Sequence, residues 1–301
     1  MANQKSFNLL VILGPTAVGK TKLAAQLAYK FNGEIISADS RQVFRRMNIG
    51  TGKDYDDYIV NDQKIPFHLI DVVDPDEEFD LFRFLESFKS AYEDIILRGK
   101  LPILAGGTGL YLHAVLKKYN LKKARHNVTE LEQLNKLGID ALKNILLSLK
   151  PKLHNVTDLE SKERMIKAIS IMRETNPVLT LPDIDPIIIG INPGRDEVKK
   201  RITARLRQRL ESGMIDEVKN LIDSGISIER LEFFGLEYRF ISRYLTGNLS
   251  FNDMFQKLNS AIHAFAKRQM TWFRKMEREG IKINWIENPD ADKATEIISN
   301  F

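Results

Sequence analysis

The chain has 301 residues, 43% of them apolar, with 45 Lys and Arg against 40 Asp and Glu for a net charge of +5. That is ample for one large core, or for a core carrying an inserted unit. The absence of cysteine excludes disulfides, thiol catalysis and cysteine-ligated zinc, and the five scattered histidines show no metal-ligand spacing.

The first predicted strand is the apolar run over residues 7–13, and the N-terminal stretch Met1-Ala2-Asn3-Gln4-Lys5 before it is too short for a secretory leader. No apolar run approaches the ~18 residues that a membrane span requires. The expectation is a cytoplasmic protein. Further short, β-branched-rich runs at 34–38, 67–73, 101–105 and 187–191 predict buried parallel strands. Helical patterns at 20–31 and 81–98 separate them, the second bounded by Gly99. Strand–helix alternation of this kind predicts a doubly wound α/β sheet that binds ligands at the carboxyl ends of its strands.

From 112 to 175 the strand signal vanishes and the segment reads as helical, with Leu131, Leu134, Leu137 and Leu142 on apolar faces. Pro177, Pro182 and Pro186 mark the return to the sheet. The predicted division is a core of residues 1–115 and 176–301 with a helical insertion at 116–175. Later helices are expected at 196–211, 216–222 and 251–278, and 281–286 reads as a late edge strand. The fold class is therefore α/β: a P-loop NTPase-like parallel sheet with flanking helices, plus a mostly helical inserted domain.

Between the first strand and the first helix lie Gly14-Pro15-Thr16-Ala17-Val18-Gly19-Lys20-Thr21, which spell G-x-x-x-x-G-K-[ST]. Glycines let such a loop wrap a phosphate with inward N–H groups, and the helix N-terminus adds positive potential. Lys20 is placed to reach terminal phosphates, and Thr21 to offer its hydroxyl to Mg2+. Asp39, followed by Ser40, Arg41 and Gln42, sits at the carboxyl end of the second strand, a position suited to a general base or a metal partner as well as to a helix cap. Arg41 and Gln42 supply planar donors for phosphates or base edges. The fourth strand ends in Gly106-Gly107-Thr108-Gly109-Leu110-Tyr111, a second glycine turn on the same sheet edge. From Leu258 to Arg278 five cations (Lys267, Arg268, Arg274, Lys275, Arg278) face one carboxylate, Glu277, a local excess that suits a polyanion.

Taken together, Gly14–Thr21, Asp39–Phe44, Asn48-Ile49-Gly50-Thr51-Gly52-Lys53, His68-Leu69-Ile70-Asp71 and Gly106–Tyr111 occur in the order and spacing of the tRNA dimethylallyltransferases. Arg201-Ile202-Thr203-Ala204-Arg205 resembles that family's basic helix, and Lys267 to Arg274 its late helix motif. The resemblance implies transfer of a dimethylallyl group from its diphosphate to the exocyclic amine of the adenosine 3′ of the anticodon in tRNA. It implies that the loop from Gly14 to Thr21 holds the diphosphate with Mg2+ on Thr21, that Thr16 meets the substrate, and that Lys20 and Thr108 assist while Asp39 takes the proton. It also implies that Asp39, Ser40, Arg41, Gln42 and Thr108 meet the target nucleotide, flipped out of the anticodon arm. Arg201, Arg205, Lys267, Arg268 and Arg274 would grip tRNA phosphates, and the expected state is a monomer.

The chain departs from the family pattern in two places. Residues Glu160–Ile169 replace an arginine helix, with Arg164 at a basic position implied to lie near the diphosphate. The signature Gly-Tyr-Lys-Glu stands here as Gly235-Leu236-Glu237-Tyr238. A small-molecule P-loop kinase would share the cradle, with ATP in it, but would gain nothing from the basic late helix. A non-catalytic tRNA-binding paralogue would keep the fold without turnover.

Overall fold

A computed structural model describes residues 7–122, 128–149, 161–173 and 178–301. The apolar run yields β1 (Leu9–Leu13), buried at every position, and Gly19 starts α1 (Lys20–Lys30). The chain continues through β2 (Gly33–Ala38), a 3-10 turn at Tyr55–Tyr58, a small hairpin of β3 (Ile59–Val60) and β4 (Gln63–Lys64), then β5 (Phe67–His68), α2 (Leu81–Leu97), β6 (Leu101–Gly106) and α3 (Gly109–Leu116). Next come β7 (Leu121–Lys122), α4 (Val128–Asn135), α5 (Ile139–Leu149), α6 (Lys162–Arg173) and β8 (Val178–Leu179). The final stretch is β9 (Pro186–Ile191), α7 (Arg195–Glu211), α8 (Met214–Asp223), α9 (Ile228–Phe233), α10 (Leu236–Leu245), α11 (Phe251–Arg278), β10 (Asn284–Ile286) and α12 (Ala291–Ser299).

Six strands form one sheet in the order β10-β9-β1-β6-β2-β5, every pairing parallel. β1 lies centrally, with Leu13 opposite both Gly106 and Gly190. The carboxyl ends of β1, β2 and β6 therefore finish side by side, and the loops that follow them must converge. Helices cover the sheet with buried faces such as Leu23, Ala24 and Leu27 of α1 and Phe84, Leu85 and Phe88 of α2. In parallel sheets both faces are covered, which is why these strands read as continuous apolar runs.

Two expectations change. The 67–73 run pairs as a strand only at Phe67–His68, because Leu69 and Asp71 adopt φ of 63° and 55° and break the ladder. The chain splits into a larger unit, 1–117 with 182–301, and a smaller unit, 118–181. The smaller one therefore runs past the expected boundary of 175, and its mostly helical make-up includes β7 paired antiparallel with β8. Two-residue strands carry no periodic signal. The smaller unit has its own core of Leu134, Leu142, Leu146, Met165, Ile166 and Ile169, with Leu137 packed against it. The side chain of Leu131 lies outside the described residues.

Candidate active site

Three loops meet at the carboxyl edge of the sheet around a cleft of about 660 Å³. The first is the loop after β1. Gly19 has φ 85°, and Ala17 also takes a left-handed φ of 67°, the kind of backbone strain that gathers at ligand sites. α1 begins there with no side-chain cap and no acidic residue in its first turn. Its first N–H groups and its positive dipole end are left for an anion. Thr16, Ala17, Val18, Gly19, Lys20 and Thr21 all line the cleft, with Gly14 and Pro15 forming the approach from β1.

The second loop follows β2 and carries Asp39, Ser40, Arg41 and Gln42, all lining the same cleft. Asp39 Oδ1 accepts the Arg41 backbone N–H at 2.9 Å, which fixes the carboxylate on a tight turn. The third loop follows β6. The Thr108 backbone N–H donates to the Ala38 carbonyl at 3.1 Å, and Thr108 Oγ1 accepts from the Ser40 N–H at 3.0 Å. Thr108 is thereby locked onto the turn that bears Asp39.

Two helices far along the chain complete the walls. From α11, Gln269 is buried, accepts the Thr16 N–H at 2.8 Å and donates to the Gly107 carbonyl at 2.9 Å. Any side chain on Gly107 would collide with this amide, so only glycine lets the two approach. From α7, Arg205 donates to Thr16 Oγ1, and Arg209 bridges to Asp54 at 3.3 Å. Arg201, Arg205 and Arg209 recur at intervals of four, which in a helix sets them along one face.

The charges in this cleft are held out of balance. Lys20 folds back on its own loop, donating to the Pro15 carbonyl at 2.7 Å. Burial, aided by Arg205, pushes its ammonium down to about 7, against the pull of Asp39. Burial and the neighbouring Arg209 push Arg205 down to about 10. Burial lowers Arg41 as well, opposed by Asp39. Burial also lifts the Glu237 carboxyl above its usual range although Arg209 and Arg205 favour its ionised form. Desolvated cations crowded at a helix N-terminus are relieved by an anion, and perturbed groups in a cleft mark functional sites.

The sequence-predicted residues separate into groups. Lys20, Thr21, Thr16, Asp39, Ser40, Arg41, Gln42, Thr108, Arg205 and Arg268 are brought together in the cleft. Arg205 points inward at the glycine loop instead of outward, because it lies on the buried side of α7 beside Thr16. Gln42 is engaged internally, its carbonyl accepting from Ser37 at 3.0 Å and its amide donating to Gly52 at 2.9 Å. Arg201 is paired with Glu197 at 2.7 Å and donates to Asn288 at 3.1 Å. Lys267 and Arg274 stand exposed on α11. Arg164 is exposed on α6 of the smaller unit, whereas the cleft is built by the larger unit. Arg209, Glu237, Gln269, Phe233 and Trp272 were not predicted as site residues. The four-residue arginine spacing announces Arg209, and Gln269, Trp272 and Glu237 lie within the Lys267–Arg274 and Gly235–Tyr238 stretches singled out above, whereas nothing local announces Phe233.

The parallel sheet, the glycine loop after its central strand and the crevice at the strand ends define a protein of P-loop NTPase-like fold. The family model described as IPP transferase matches residues 42–276, and the chain belongs to that family. It is 52% identical over 286 residues to a protein named tRNA dimethylallyltransferase 2 of Syntrophotalea carbinolica, covering 93% of this chain and 94% of that protein. The crystal structure of the full-length tRNA isopentenylpyrophosphate transferase from Bacillus halodurans matches with a TM-score of 0.69 and 35% identity, over 98% of this chain and 95% of that one. A eukaryotic dimethylallyltransferase, described as acting on tRNA, matches with a TM-score of 0.77 and 26% identity over 98% of this chain and 80% of that one.

Proposed function

We propose that this protein transfers a dimethylallyl group from dimethylallyl diphosphate to the exocyclic amine of the adenosine 3′ of the anticodon in tRNA. The observation that carries this is the meeting of Asp39, the glycine loop and Thr108 in one cleft, in a chain of the IPP transferase family. The loop amides, Lys20 and Arg205 receive the diphosphate, and their positive charge favours its departure as charge builds on the leaving oxygen. The adenosine amine forms the new C–N bond as the allylic C–O bond breaks. The amine proton passes to Asp39, and inorganic diphosphate leaves. An exocyclic amine is a weak nucleophile, so a carboxylate held in place by the Arg41 N–H matters more than one with an unusual pKa. Thr108, locked beside it, presents the target base.

Mg2+ fits this donor set. The Thr21 hydroxyl lines the cleft, and a hard oxygen ligand completed by phosphate oxygens and water is what that ion favours, which leaves the Asp39 carboxylate free to take the proton. When bound it neutralises diphosphate charge. To reach Asp39 the adenosine must leave its stack, at a cost of a few kcal/mol. Lys267, Arg268 and Arg274 offer phosphate contacts along exposed α11.

The test is incubation with magnesium, labelled dimethylallyl diphosphate and unmodified tRNA, followed by digestion to nucleosides. Labelled dimethylallyladenosine is the expected product. Unlabelled tRNA with ATP consumed in the presence of small acceptors would replace this function by a kinase. Salt-sensitive tRNA binding without any turnover would leave a non-catalytic binder.

A further inference from the structure

Phe233 ends α9 and is 58% exposed, the most exposed aromatic residue among the described residues, yet it lines the cleft that contains Asp39. Its neighbour Phe234 is buried and packs edge-on against Phe44 at 4.8 Å between ring centroids. The packing role therefore falls to Phe234, and Phe233 contributes little to the core. Its ring is nevertheless held. The Arg230 guanidinium lies 5.2 Å from its centroid and is itself anchored on the Pro75 and Glu77 carbonyls. The Arg41 guanidinium lies 5.1 Å away, and Arg41 is the residue whose N–H fixes Asp39. α11 adds a second such pair to the same cleft, with Phe265 38% exposed and the Arg268 guanidinium 5.8 Å from its ring.

An exposed aromatic ring flanked by arginine guanidiniums offers planar surfaces that suit the flat face of an unstacked base. Single-stranded nucleic acid is held in this way, by stacking on aromatic rings and guanidinium planes that accept any base. We propose that Phe233, with Arg41, is the stacking platform for an unpaired base adjoining the target nucleotide. Once the target base is withdrawn toward Asp39, its neighbour loses a stacking partner, and Phe233, on the same cleft, replaces it. This makes Phe233 a substrate-positioning residue for the RNA and not for the prenyl donor. The proposal rests on the tRNA-prenylating function above.

The experiment compares the steady-state kinetics of the wild-type protein, Phe233→Ala and Phe233→Trp with tRNA and dimethylallyl diphosphate. Phe233→Ala should raise the KM for tRNA by about tenfold or more, as expected for loss of one stacked base. The donor KM, kcat at saturating tRNA and resistance to urea should stay unchanged, and Phe233→Trp should restore the KM. Placing an abasic site in turn at each nucleotide flanking the target should weaken wild-type binding, and at one of them should add nothing to Phe233→Ala. An unchanged tRNA KM, or a rise in donor KM instead, would remove the platform while leaving the prenyl transfer in place. A wild-type protein that puts no label into tRNA would remove both.

Discussion

Gln269 reaches across 253 residues of sequence to accept the Thr16 N–H at 2.8 Å, while its amide holds the Gly107 carbonyl at 2.9 Å. One buried side chain from the late helix thus ties together the two glycine loops that line the cleft. It also engages a loop N–H that would otherwise be free for phosphate, which narrows the cradle to the amides nearer Gly19.

Replacing Gln269 by Leu keeps the volume but removes the partner of the part-buried Thr16 N–H and of the buried Gly107 carbonyl. The expected cost is about 2 kcal/mol or more in stability by urea denaturation, with weaker diphosphate binding by calorimetry. Diphosphate affinity equal to wild type would show that the loops hold their shape without this clasp.

Lys20 makes diphosphate binding take up protons. Its folded pKa, pushed down to about 7 by burial, lies below the ordinary lysine value of 10.5. The unfolded chain therefore binds more protons between these values, so this group makes stability rise with pH through that window. A bound diphosphate favours the charged form. At pH 8 binding should recruit close to one extra proton in wild type relative to Lys20→Gln, measured by calorimetry in buffers of different ionisation enthalpy. Equal uptake in the two proteins would count against a neutralised Lys20.

Asp39→Asn preserves the acceptor for the Arg41 N–H and removes only the base. Turnover should fall by about 10²–10⁴ with diphosphate binding nearly unchanged, as single-turnover kinetics can separate. Activity within a few-fold of wild type would reassign the proton acceptor.

Glu217 organises the 48–50 turn, whose Gly50 lines the cleft. Its carboxylate accepts the N–H groups of Asn48 and Ile49, each at 2.7 Å, and of Gly50 at 3.0 Å, together with the Tyr238 hydroxyl at 2.7 Å. Glu217→Gln leaves an amide NH2 facing donors, at a cost of about 1–3 kcal/mol. Hydrogen exchange at Asn48, Ile49 and Gly50 should speed up markedly, and unaltered protection would show that the turn is held by its own backbone bonds.

The exposed cations on α11 should act on binding through counterion release. Lys267→Ala with Arg268→Ala should lower the salt slope of tRNA binding by about 2. Arg201→Ala, whose guanidinium is already paired with Glu197, should leave that slope alone. The reverse pattern would place the phosphate track on α7.

Local sequence determined the parts whose cause is local. Continuous β-branched runs announced the buried parallel strands, and the glycines before Lys20 announced the phosphate loop, because strand burial and loop geometry follow from residue types within a short window. Strand order also placed Asp39 and Thr108 at one edge, since parallel strands end together. The tertiary structure alone decided what each polar side chain faces. Arg205 and Arg201 are one helical turn apart, yet one meets Thr16 and the other Glu197 and Asn288. Gln269 and Glu217 find backbone partners more than 150 residues away, and of the adjacent Phe233 and Phe234 one is exposed in the cleft while the other is buried. Such outcomes depend on how distant helices pack, and no periodicity or motif records that.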